Sequence, residues 1–250
     1  MKILIFGATG MVGQGVLREC LLDARVTEIV SIVRTASNER DPKLTEIQLP
    51  DMFGIASISD RLTGFDGCFF CLGVSSFGMS EAAYTHVTYD LTTTIARVLA
   101  PGNPAMTFIY VTGSGTSRDS KQMWARVKAR TEDALGTLNL KAAYAFRPAF
   151  IQPLHGVRSK TRLYMALYTV LQPISPWLTR RFPNAATTTE RLGRAMIQVA
   201  LAGYPSKVLE TSDITSALEW KKRGWLTPKA VPADVATLWP AKQLDRKSVV

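Results

Sequence analysis

The chain has 250 residues, 46% hydrophobic and 20% charged, so it can bury a sizeable core and is neither a disordered segment nor a fibre. Three cysteines, an odd number, make no disulfide framework and point to a reducing compartment. The net charge of +10 attracts phosphate, but no stretch alternates basic with aromatic residues, so an anionic small molecule is expected rather than nucleic acid.

Taken in chain order, KILIFG (2–7) reads as a buried strand. MVGQGVLRECLLD (11–23) follows, with apolar residues at helical spacing. EIVSIVR (28–34) is a second strand, and a weak strand is expected near 45–49. GCFFCLG (67–73), MTFIYVTG (106–113) and AAYAFRP (142–148) are further strands. Residues 80–100 and 123–138 between them are helix-like. This alternation predicts an α/β fold, a parallel sheet with helices on both faces and ligands at the carboxyl ends of the strands. Beyond 150 the pattern is mostly helical. Residues 187–201 carry a capping box, Thr187 with Glu190, ahead of an apolar helical stripe.

From about 216 the periodicity fades, and 216–250 reads as a poorly specified tail. One back-translation of the closing DRKSVV, with a stop codon, matches a common sequencing adapter. A replaced C-terminus is therefore expected, which resequencing of the locus tests. The opening MKILIFGATG has only a four-residue apolar run before its glycines, and no stretch reaches the ~18 apolar residues of a membrane span. No transmembrane segment and a cytoplasmic location are expected.

The most informative stretch is FGATGMVGQG (6–15), between the first strand and the first helix. Gly7 permits the tight turn, Gly10 lets the backbone approach a pyrophosphate, and Gly13 lets the helix pack close to the sheet. The helix N-terminus adds free N–H groups and partial positive charge. An NAD site usually ends the second strand with an acid, but here Arg34 stands in that place. Its planar fork suits a 2′-phosphate, so NADP(H) is favoured over NAD(H). The competing reading has Arg34 stacking on adenine. Gly73 in CLGVSS admits close backbone approach, while Ser75 and Ser76 are positioned for ribose or substrate. CFFC (68–71) is discounted as a redox or metal motif, because residues i and i+3 of a strand point to opposite faces.

GATGMVG, the strand-end Arg34, CLGVSS, YVTGSG, the helix with Lys128 and FRPAFI occur in one order. Over residues 1 to about 214 the chain resembles the extended and atypical short-chain dehydrogenase/reductase superfamily, NAD-dependent epimerase/dehydratase-like, of the NmrA and Tat-interacting-protein type. The resemblance implies a Rossmann doubly wound domain over 1–215, with a small, mostly helical substrate lobe from about 151. It implies cofactor contacts from Gly7, Thr9, Gly10, Met11, Val12, Gly13 and Arg34, from Leu72, Gly73 and Val74, and from Pro148 and Ile151 near the nicotinamide. The family's Tyr-x-x-x-Lys places Lys128 on the nicotinamide ribose, but Trp124 stands where the tyrosine belongs. An indole donates a hydrogen bond and does not titrate near neutrality, so Trp124 is expected to line the nicotinamide or substrate pocket, against the equal reading of plain packing on the C-terminal lobe.

The family's serine position falls on Thr112 and Gly113, with Ser114 next. Tyr84, with His86 and Tyr89 nearby, is the first candidate for the missing acid, against the reading of a core aromatic. Hydride transfer mainly needs placement of two carbons. An oxidoreductase or epimerase-like protein with altered proton chemistry is therefore expected; the alternative is a non-catalytic NADP(H)-sensing module. The basic stretch 158–181 reads as a lid, or alternatively as a peripheral membrane contact. The substrate and the oligomeric state are not legible.

Overall fold

The computed structural model describes residues 1–37, 39–156 and 186–220. The elements are β1 (Lys2–Phe6), α1 (Met11–Leu22), β2 (Glu28–Val33), β3 (Leu44–Gln48), a 3-10 helix (Met52–Arg61), β4 (Gly67–Phe70), α2 (Glu81–Thr85), a π-helical turn (His86–Asp90), α3 (Leu91–Leu99), β5 (Thr107–Val111), α4 (Met123–Gly136), β6 (Ala142–Arg147), β7 (Phe150–Gln152), β8 (Ala186–Thr188), α5 (Thr189–Ala202), β9 (Val208–Glu210) and α6 (Thr211–Ala217). A seven-stranded sheet has the order β3-β2-β1-β4-β5-β6-β9, with every neighbouring pair parallel. The order reverses between β1 and β4, which is where an open parallel sheet presents its ligand crevice. β7 and β8 form a separate parallel pair.

The central strands are apolar along their whole length because helices cover both faces. On one face Ile3, Ile5, Val16, Cys20, Leu192 and Met196 form a core between the sheet, α1 and α5. On the other, Leu4, Phe6, Phe70, Phe108, Ile95 and Leu99 form a second core. There Phe6, Phe70 and Phe108 stack with centroids 5.5 and 5.7 Å apart. Helices α1 and α5 meet on glycines. A Cβ on Gly15 would lie 2.4 Å from the Thr189 Cβ, and one on Gly193 would lie 2.9 Å from the Glu19 Cγ. The Thr189 hydroxyl also accepts the Leu154 N–H at 3.1 Å, so it is not free to retreat. Gly15→Ala is expected to destabilise the fold by about 1–1.5 kcal/mol, read as a lower urea midpoint at unchanged slope.

One expectation shifts. Thr187 is not a helix cap: it pairs with Ile151 in the β7–β8 ladder, and Thr188 caps α5 by accepting the Arg191 N–H at 3.0 Å. The capping box lies instead at α6, between Glu210 and Asp213. The weak strand expected near 45–49 is β3, and α6 carries regular structure through Ala217. The basic stretch 158–181 and the closing DRKSVV lie outside the described residues. Among the described residues, no helix is long and apolar enough to cross a membrane.

Candidate functional site

The turn from β1 into α1 is dictated by its glycines. Gly7 has φ +82°, and a Cβ there would lie 2.8 Å from the backbone of Cys71 and Leu72 at the end of β4. A Cβ on Gly13 would lie 2.0 Å from the Gly7 carbonyl oxygen, so α1 packs against the strand end only because position 13 has no side chain. The Gly10 N–H donates to that oxygen at 2.9 Å, and the Gln14 side chain donates to the Thr9 carbonyl at 2.9 Å. Gly10 is the N-cap and supplies no side-chain acceptor, and the first turn holds no acid. The N–H groups of Met11 and Val12 and the positive end of the helix are thus left for an anionic ligand.

Beside this turn lies a cleft of about 830 Å³, whose lining includes Ala8, Thr9, Gln14, Arg34, Ser37 and Glu46. Arg34 is exposed at the end of β2. No acid is adjacent to it in sequence, but β3 supplies one in space. The Glu46 Oε2 accepts the Ser37 N–H at 2.8 Å, and Oε1 is buried with no partner among the described residues. Sequence reasoning missed Glu46, whose only signal was an acid within a weak strand.

At the end of β5 the second group of residues gathers. The Lys128 Nζ donates to the Thr112 carbonyl at 2.9 Å. Burial pushes its pKa down to about 8, against the opposing pull of Glu132 one turn further along α4. Glu132 is itself held by Arg147 at 2.5 Å, and Arg147 reaches Glu210 at 3.4 Å. The Lys128 Nζ is 6.0 Å from the Trp124 ring centroid. The indole Cη2 would be 3.7 Å from a Cβ on Gly115, whose φ is +83°. The structure therefore brings Lys128, Trp124 and the β5 end together. The Thr112 hydroxyl turns to the Phe146 carbonyl at 3.3 Å, whereas Ser114 is exposed and its N–H donates to the Pro148 carbonyl at 3.1 Å.

Tyr84 does not join this group. It is only 2% exposed and lies in the interior near Tyr110, whose phenol is pushed up by burial and bonded to Thr131 and Thr92. The inward face of α2 takes the ring, so the residue proposed as acid is a core aromatic. In the loop after β4, Leu72 packs on the second core while Gly73 and Val74 are exposed. The Ser75 hydroxyl accepts the Phe77 N–H at 3.2 Å, and the Ser76 carbonyl accepts the Met79 N–H at 3.1 Å, so the segment is a hydrogen-bonded turn that exposes Val74 and Phe77. Pro148 is buried after β6, and Ile151 lies in β7. Cys68 and Cys71 pack in opposite cores, as a strand's alternation requires, and burial pushes the Cys71 thiol up to about 12.

No family model matches the chain. Among curated relatives, protein fmp52-1, mitochondrial, of Aspergillus terreus is 27% identical over 170 residues, 64% of this chain and 70% of the relative. Protein fmp52-2, mitochondrial, of Aspergillus oryzae is 24% identical over 87% of this chain and 98% of its own length. These mitochondrial names overturn the expectation of a cytoplasmic location. The signal for it was the lack of an apolar leader, which says nothing of organelle import.

Among solved structures, ADP-L-glycero-D-manno-heptose-6-epimerase of Helicobacter pylori superposes with a TM-score of 0.61 at 16% identity, covering 88% of this chain and 81% of that one. The UDP-glucuronic acid 4-epimerase of Bacillus cereus in complex with NAD gives 0.61 at 13% identity, over 89% and 83%. A short-chain dehydrogenase family protein of Francisella tularensis gives 0.57 at 14% identity, over 78% and 89%. The chain has a Rossmann-like α/β fold, shared with these epimerases and with the short-chain dehydrogenase family protein.

Proposed function

We propose that the chain binds NADP(H) across the carboxyl edge of the sheet and acts as an oxidoreductase or epimerase-like protein on a small molecule. The observation that carries this reading is the Gly7–Gly13 turn, where backbone touches backbone and leaves the first turn of α1 uncapped. The residues present fit a dinucleotide. The N–H groups at Met11 and Val12 hold the pyrophosphate, Arg34 takes the 2′-phosphate, and the Lys128 ammonium holds the nicotinamide ribose. The coenzyme, when bound, supplies hydride chemistry at one carbon. Ser114, exposed beside the β5 end, orients a substrate oxygen, and Trp124 with Ser75 and Ser76 lines the substrate side. Calorimetric titration with NADPH and NADH tests the binding. A panel of aldehydes, quinones and sugar nucleotides, with NADPH oxidation followed at its absorbance band, tests the turnover.

A second reading is a regulatory module that senses NADP(H) without turnover. The replacement of the family's tyrosine by Trp124, together with the burial of Tyr84, favours it. Tight NADPH binding with no oxidation across the panel would select this reading; steady turnover of any one substrate would reject it.

A further inference from the structure

We propose that Glu46 sets the discrimination between the phosphorylated and unphosphorylated coenzymes, as a positioning residue that anchors the Arg34–Ser37 segment and places a fixed negative charge beside its cleft. This rests on the coenzyme reading above. Glu46 stands on an edge strand directly opposite Ser31, so the two side chains share one sheet face. Leu44, two residues earlier on that face, packs against the core under α1. A carboxylate in such a place forfeits solvation, and only half of that loss is recovered. Oε2 accepts the Ser37 N–H at 2.8 Å, while Oε1 and the neighbouring Ser31 hydroxyl are both buried without a partner among the described residues.

The two halves of the carboxylate have opposite consequences for a coenzyme. The bond to Ser37 ties the segment after β2 to β3, which fixes the strand end that carries Arg34. The uncompensated charge raises the free energy of any further anion in the cleft. NADP(H) differs from NAD(H) there by one phosphate, so selectivity is the difference between attraction to Arg34 and repulsion from Glu46.

The test uses the full chain and two variants, with NADPH and NADH titrated separately. Glu46→Gln keeps an acceptor oxygen for the Ser37 N–H and removes the charge. It is expected to tighten NADPH about fivefold and leave NADH within about twofold. The gain should shrink as ionic strength rises, which a packing effect would not do. Glu46→Asp keeps the charge but falls short of Ser37, and is expected to lower the NADPH-to-NADH affinity ratio about threefold or more. Should one variant fail to fold, the other still carries the test with its own sign. Ser31→Ala, neutral on the same face, is expected to leave the ratio unmoved. Native protein that prefers NADPH, with a ratio unchanged by both Glu46 variants, overturns this inference alone. Native protein that binds neither coenzyme overturns the coenzyme reading itself.

Discussion

Arg34→Ala is expected to weaken NADPH binding about 100-fold and to leave NADH binding within about twofold. The guanidinium stands exposed at the end of β2 and lines the cleft beside the phosphate turn. A 2′-phosphate there receives charge-assisted, geometrically matched bonds, which are roughly twice as strong as neutral ones. The loss corresponds to about 2.7 kcal/mol. Arg34→Lys should recover only part of it, because an ammonium is a point charge without the planar fork. The competing role, stacking on adenine, makes a different prediction. Alanine would then weaken both coenzymes equally, and lysine would rescue neither. Paired titrations of native, alanine and lysine proteins separate the two by the ratio of affinities.

The parts of this site that could be read in the sequence were those encoded locally. The Gly7–Gly13 turn is contiguous, and the spacing that allows a helix to close on its own strand is visible in seven residues. Strands β1, β4 and β5 were legible because burial on both faces leaves continuous apolar runs. The edge strand β3 left only a weak signal, since exposed Thr45 and Gln48 interrupt the apolar pattern on both of its faces. β7, β8 and β9 have three residues each, too few for a period to register. Thr187 looked like a cap because sequence spacing cannot reveal that a ladder with Ile151 claims it. Tyr84 could not be sorted into core or site, because a tyrosine suits both and only the packing of α2 decides. Glu46 was invisible for a related reason. Its bond to Ser37 crosses from one strand to the segment after its neighbour, and no local pattern marks it.

Lys128→Met should make the protein more stable and a poorer coenzyme binder at the same time. Burial holds the Lys128 ammonium at about 8, below its ordinary 10.5, with Glu132 opposing. That gap corresponds to about 3 kcal/mol against the charged form. The lost bond to the Thr112 carbonyl returns about 1 of it, so a net gain of about 2 kcal/mol is expected at pH 7. The sign follows from proton counts. Between pH 8 and 10.5 the unfolded chain holds a proton on this lysine that the folded chain has released, so native stability rises with pH across that window. Below pH 8 both states are protonated and the full penalty applies. The methionine variant lacks this titration, so its advantage should shrink as pH climbs from 8 toward 10.5, as denaturant midpoints would record. An advantage independent of pH would mean that packing, rather than a buried charge, explains it. Coenzyme binding supplies the other half of the argument. The ribose that Lys128 is proposed to hold is common to both coenzymes, so NADPH and NADH should weaken together, about tenfold, with their ratio intact. Against the Arg34 variants, whose effect falls on one coenzyme alone, this pattern assigns the two cations to opposite ends of one bound dinucleotide. A charge kept at the cost of stability in the fold then has its reason in the ligand it meets.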